Sequence, residues 1–142
     1  MGTKKVSEIM TTKLRTIHPE VTVEEAAQIM AEEDIGWLPV VDKSGRLLGA
    51  LTDRDIVVRA VSKRKDGDTR VHEVMSSGVV AAREDQSLEE VARLMKTNQV
   101  RRIAIVDQDN MPRGVISLGD VAQRTEEEHV VYETLEQVAA PS

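Results

Sequence analysis

Two stretches of this chain carry residue types that could hold a small polar ligand. Gly49-x-x-Thr52-x-x-Asp55 and Gly114-x-x-Ser117-x-x-Asp120 each run through a glycine to a hydroxyl and, three residues later, a carboxylate. At the start of a helix this spacing sets the hydroxyl beside unpaired backbone N–H groups, where anions are stabilised, with a carboxylate acceptor one turn in. A phosphate needs such N–H and O–H donors, and a ribose diol needs such an acceptor. The same spacing is close to a capping box, in which the two side chains only close the helix start. Thr22-x-x-Glu25 shows this chain using that device elsewhere. Two features favour a ligand: both stretches keep Asp where a capping Glu is commoner, and both keep glycine three residues before the hydroxyl.

The rest of the chain offers little chemistry. Asp53 and Asp55 stand at i, i+2, positions that do not share a helix face, with Arg54 between them. His18, His72 and His129 show no metal-ligand spacing, and there is no cysteine for a thiolate zinc site, a disulfide or a nucleophile. No serine has a matched base and orienting group, so the chain is expected not to be an enzyme. Lys63-Arg64-Lys65 reads as a solvated charge run, and the Met10/Met75 and Met30/Met95 pairs read as core. With 19 basic and 25 acidic residues the 142-residue chain has a formal charge of −6, which weighs against non-specific binding to DNA or an anionic membrane. Trp37 and Tyr132 are the only aromatics, too few to stack single-stranded nucleic acid. No apolar run approaches the ~20 residues of a membrane span, and no hydrophobic leader is visible, so a soluble cytoplasmic protein is expected.

The elements that must position the two motifs are themselves duplicated. Sliding the chain against itself by 65 positions aligns Val6–Arg59 with Val71–Arg124 without a gap. Val6-Ser-Glu-Ile-Met10 faces Val71-His-Glu-Val-Met75, and Leu38-Pro-Val-Val-Asp42 faces Ile103-Ala-Ile-Val-Asp107. Within a repeat, Thr22-x-x-Glu25 opens a helix with Val23, Ala26, Ala27 and Met30 on one face, and Ser87-x-x-Glu90 opens its counterpart. Leu38–Val41, a turn at Asp42–Gly45 and Leu47–Leu51 read as a hairpin, followed by a helix from Asp53 to about Val61. Arg15–His18 before Pro19 reads as a short strand. The chain is thus an α+β protein of two β-α-β-β-α units spanning 4–61 and 71–125, with a polar linker at 62–70 and a helical tail over 126–142. Neither repeat has much apolar surface alone, so the two are expected to share a core.

With these motifs in this order, the chain resembles a pair of cystathionine-β-synthase (CBS) domains, the Bateman module. The likeness runs from Lys4 to about Arg124 and is nearest to stand-alone bacterial two-CBS proteins of the hypoxic-response type, through Asp34-Ile-Gly-x-Leu-Pro, Leu51-Thr-Asp-Arg-Asp-Ile56 and Gln99-Val-Arg-Arg102. The resemblance implies a cleft between the repeats for an adenosyl ligand such as AMP, ADP, ATP, NAD or S-adenosylmethionine. It gives Asp55 and Asp120 the ribose hydroxyls, and Thr52 and Ser117 the phosphate or ribose. Around adenine it implies Thr16, Ile17 and Pro39, with Ala81, Ala82 and Ala104 opposite.

The repeats differ where this matters. Arg101-Arg102, able to pair with phosphate, stands where the first repeat has Gly36-Trp37; Pro39 becomes Ala104, His18-Pro19 gives way to Glu84 with Asp85 and no proline, and Gly45 becomes Asn110. The implied function is a non-catalytic regulatory module, homodimeric, whose ligand changes the orientation of repeats or subunits. The alternatives are a constitutive homodimerisation scaffold without ligand, or an enzyme acting on nucleotides.

Overall fold

A computed structural model describes residues 4–78 and 81–124. The tail over 126–142, expected to be helical, lies outside the described residues. Helix and strand are mixed throughout, in two compact units. One holds residues 15–78. The other joins residues 4–14 to residues 81–124. The units are therefore out of phase with the sequence repeats, because each takes its leading segment from the other repeat.

In the first unit α1 (Val23–Glu33) precedes an antiparallel hairpin of β1 (Trp37–Val41) and β2 (Leu47–Thr52). Next comes α2 (Asp53–Asp55), continued by a π-helical stretch over Ile56–Val61, and then a 3-10 turn at Val71–Glu73. The second unit begins with a 3-10 turn at Val6–Glu8. It continues through β3 (Ala81–Arg83), α3 (Leu88–Asn98), β4 (Arg102–Val106), β5 (Pro112–Ser117) and α4 (Leu118–Arg124). Its sheet runs β3-β4-β5, with β3 parallel and β5 antiparallel to β4.

The strand expected at Arg15–His18 is reduced to one parallel bridge, Ile17 to Val40. In the second unit the Glu84 N–H donates to Val106 O at 3.1 Å, extending β3 along β4. Its counterpart in the first repeat is Pro19, which has no N–H to give, and the chain turns at once, with Val21 N–H donating to His18 O.

The helices start as their sequences require. Thr22 Oγ1 accepts from Glu25 N–H and Ser87 Oγ from Glu90 N–H, each at 3.1 Å. The Ser87 N–H returns a bond to Glu90, and that bond is the main reason the Glu90 carboxyl lies below its ordinary range. Both hairpin loops turn through a left-handed residue, Gly45 at φ 91° and Asn110 at φ 63°. Asparagine tolerates that region better than most residues, so the Gly45-to-Asn110 difference leaves the loop's shape unchanged. Asp42 and Asp107 brace the loops alike by accepting backbone N–H groups, and the bond from Met111 leads those that hold the Asp107 carboxyl below its usual value.

Each unit carries its own buried cluster. Val71 and Val74 pack with Ile17, Val23, Ala26, Met30, Leu38, Val40 and Leu51; Val6 and Ile9 pack with Leu88, Val91, Met95, Ile103, Ile105 and Ile116. What the repeats share is thus an exchange of leading segments. The segments also pair with the motif strands: Ser76 exchanges both backbone bonds with Ala50 on β2, and Thr11 with Val115 on β5, at 2.9–3.0 Å. Gly49 and Gly114 permit that approach. A Cβ at 49 would collide with the Ser76 carbonyl oxygen, and one at 114 would lie 2.8 Å from Thr11 O. Neither glycine has a positive φ, so the requirement is space alone. Gly49→Ala is therefore expected to destabilise the protein by about 1–3 kcal/mol through overpacking, read as a lower midpoint in chemical denaturation. An unchanged midpoint would show that the leading segment is not seated on β2.

Candidate functional site

Both motifs form the same helix start. Thr52 Oγ1 accepts from Asp55 N–H at 3.0 Å, and Asp55 Oδ2 accepts from Thr52 N–H at 3.0 Å. Ser117 Oγ accepts from Asp120 N–H at 3.1 Å, and Asp120 Oδ2 from Ser117 N–H at 3.0 Å. The capping box is thus complete in each repeat. It engages the hydroxyl and one carboxylate oxygen. A carboxylate offers about four lone-pair sites on two oxygens, so capping and ligand binding are compatible.

The second oxygens have different surroundings. Ser76 Oγ lies 3.3 Å from Asp55 Oδ1 and 3.5 Å from Oδ2, and Arg59 Nε is 3.9 Å from Oδ1. Arg59 is held in place by donating to Met75 O at 3.2 Å. Asp55, 9% exposed, is the buried charged side chain among the described residues. Asp120 is half-buried, and beyond Ser117 no side chain or backbone group bonds its carboxylate among the described residues.

The strand ends beside the motifs differ as well. Arg102 stands opposite Ser117 in the β4–β5 register, and the Arg101 carbonyl accepts from Leu118 N–H at 2.8 Å. Both arginines are exposed, and neither has an acidic partner among the described residues. In the first unit Trp37 stands opposite Thr52, and the Gly36 carbonyl accepts from Asp53 N–H at 3.0 Å. The Asp53 carboxylate covers Gly36, where a Cβ would come within 2.7 Å of Oδ2. Arg101 and Arg102 therefore stand at the strand end that adjoins Ser117, and an additional carboxylate, Asp53, stands at the helix start that holds Thr52 and Asp55.

The residues expected around adenine lie on the neighbouring strands. Thr16 is exposed, just before the buried Ile17 that bridges to Val40, and Pro39 is buried opposite Ala50. Ala81 is half-buried beside Ala104; Ala82 and Ala104 are buried. The structure thus gathers Thr16, Ile17, Pro39, Thr52 and Asp55 in one unit, and Ala81, Ala82, Arg101, Arg102, Ala104, Ser117 and Asp120 in the other.

Sequence reasoning passed over Ser76 and Arg59. Their signal was the repeat itself, since hydroxyl residues recur at 11 and 76 and arginines at 59 and 124. A cavity of about 270 Å³ lined by Arg83, Glu84, Asp85, Val106, Asp107 and Gln108 contains none of the expected site residues. Among the described residues no three His, Asp or Glu side chains are grouped to hold a metal ion, and no helix is long and apolar enough to cross a membrane.

The family model described as "CBS domain" matches residues 6–62 and 71–127. The chain belongs to the CBS domain family. Among its CBS relatives, the CBS domain-containing protein YhcV of Bacillus subtilis is 44% identical over 82% of this chain and 82% of its own length. Hypoxic response protein 1 of Mycobacterium tuberculosis is 29% identical over 94% of this chain and 93% of its own, in line with the hypoxic-response likeness read from the sequence. Two solved CBS pairs carry ligands. That of protein MJ0100, in complex with 5′-methylthioadenosine and S-adenosyl-L-methionine, superimposes with a TM-score of 0.77 at 27% identity, covering 86% of this chain and 95% of its own. That of CBSX2 in complex with AMP gives 0.74 at 26% identity, covering 84% and 93%.

Proposed function

We propose that this CBS pair is a non-catalytic cytoplasmic regulatory module that binds an adenosyl compound between its repeats and signals by a change in their orientation or in that of a homodimer. The observation that carries this reading is that, among the described residues, one Asp120 carboxylate oxygen accepts no bond and Arg101 and Arg102, without acidic partners, stand at the strand end that adjoins Ser117. A diol acceptor and two phosphate-pairing cations together suit a nucleotide. Asp120 takes the ribose hydroxyls with Ser117 beside ribose or phosphate, Asp55 and Thr52 are their counterparts in the other repeat, and Thr16, Ile17, Pro39, Ala81, Ala82 and Ala104 enclose adenine. The adenosyl ligands of the MJ0100 and CBSX2 pairs support the ligand class. A ligand of unequal affinity for two arrangements shifts their populations, which is all the signal requires.

A second reading is a constitutive homodimerisation scaffold. Two observations favour it: both motifs are complete helix caps, and α2 with its π-helical continuation exposes Val57, Val58 and Val61 at 59%, 43% and 64%. Ile29 on α1 and Leu94 on α3 are partly buried against the clusters of their own units.

Thermal unfolding with AMP, ADP, ATP, NAD or S-adenosylmethionine separates the readings. At a hundredfold excess over Kd, about 2.7 kcal/mol of stabilisation raises the midpoint by roughly 5–10 °C. A flat response to all five at millimolar concentration, from a protein that light scattering shows to be a dimer, would favour the scaffold. If the ligand bears phosphates, Arg101→Ala with Arg102→Ala should weaken ATP or ADP by about tenfold or more and leave adenosine within about twofold. Equal losses would show that the arginines support the fold or the adenine.

A further inference from the structure

We propose that Ser76 and Arg59 are positioning residues that keep Asp55 closed to ligand, so that the two motifs are unequal and the Asp120 motif is filled first. The inference rests on the nucleotide reading above and specifies which carboxylate serves it.

The hydroxyl of Ser76 and the guanidinium of Arg59 reach Asp55 from two elements. Ser76 sits on the leading segment seated on β2, its backbone fixed by both bonds to Ala50, and its hydroxyl lies within 3.5 Å of either carboxylate oxygen. Arg59 comes from the π-helical stretch, 3.9 Å from Oδ1, and is anchored on the carbonyl of the residue before Ser76. With the Thr52 N–H on Oδ2, the Asp55 carboxylate has donors at both oxygens before any ligand arrives. A ribose diol approaching Asp55 competes with the Ser76 hydroxyl, an intramolecular donor that loses no translational freedom. Arg59 also offsets the charge that would make Asp55 a strong acceptor.

The same backbone geometry in the other unit lacks this closure. Thr11 pairs with Val115 as Ser76 pairs with Ala50, but Thr11 is exposed and makes no bond to Asp120 among the described residues. Among the described residues Asp120 Oδ1 accepts no bond, and Arg101 and Arg102 stand at the adjoining strand end. Among the described residues, open carboxylate and cations without acidic partners thus occur together in one unit, and closed carboxylate and the additional Asp53 in the other.

Calorimetric titration of the full chain with AMP tests this. Wild type should take up one equivalent per chain; Asp120→Asn should weaken it by roughly tenfold or more, and Asp55→Asn should leave it within about twofold. Ser76→Ala with Arg59→Met should add a second equivalent that disappears when Asp55→Asn is included. Ser76→Thr, which keeps the hydroxyl, should restore a single equivalent. Two equal sites in wild type, or loss of binding with Asp55→Asn but not Asp120→Asn, would overturn the inference. No uptake of AMP or any other adenosyl compound would overturn the nucleotide reading and this inference with it. Thermal melts without ligand test the closure separately: Asp55→Asn should melt below Asp120→Asn, and equal midpoints would contradict the closure even if AMP binds.

Discussion

The Ser76 and Thr11 carbonyl oxygens lie where a Cβ on the neighbouring motif strand would stand, and Gly49 and Gly114 leave that space free. Through it the leading segment of one repeat closes the motif strand of the other: Ser76 on β2, and Thr11 on β5. The valines and isoleucine carried in with these segments, Val71 and Val74 in one unit and Val6 and Ile9 in the other, complete clusters that the remaining residues would leave open on one side. Fully burying such a side chain contributes about 1.5–3 kcal/mol, so losing a pair would remove a large part of a typical domain's net stability. The glycine read in sequence as part of a ligand motif is thus first a packing requirement.

This constraint also determines which polar groups meet. Because Ser76 must lie on β2, its hydroxyl arrives beside Asp55, and because Met75 precedes it, a carbonyl is available to anchor Arg59. Thr11 occupies the equivalent place on β5 without the equivalent bond, and so the two carboxylates diverge although their capping boxes match to within 0.1 Å. The neighbouring residues differ in the same direction, since the Asp53 carboxylate lies over Gly36 at one helix start and Arg101 and Arg102 stand at the strand end beside the other.

The repeat, the capped helices, the hairpins and the family were legible because each is encoded locally or by self-similarity. Thr22 and Ser87 cap as their spacing requires, and the hairpin loops form around Asp42 and Asp107. The short strand at Arg15–His18 was overestimated because the rule for residues before proline fixes their conformation, while strand length depends on the rung that Pro19 cannot make. Segment exchange was not legible: periodicity shows that Val6, Ile9, Val71 and Val74 face a core but not which core. Ser76 and Arg59 were missed for the same reason, since their contact with Asp55 exists only once the leading segment is seated. The capping reading of the two motifs holds at both helix starts, and each capping box engages one carboxylate oxygen and leaves the other outside it.

Residues 4–14 belong to the unit formed by residues 81–124. Hydrogen exchange on a chain lacking residues 1–14 tests it most directly, because the Leu88 N–H donates to Lys4 O and the Val115 N–H to Thr11 O. The account predicts that protection falls at Leu88, Val115 and across 81–124, while Ala50 and the rest of 15–78 keep theirs. Unchanged protection at Val115, or loss confined to 15–78, would contradict it.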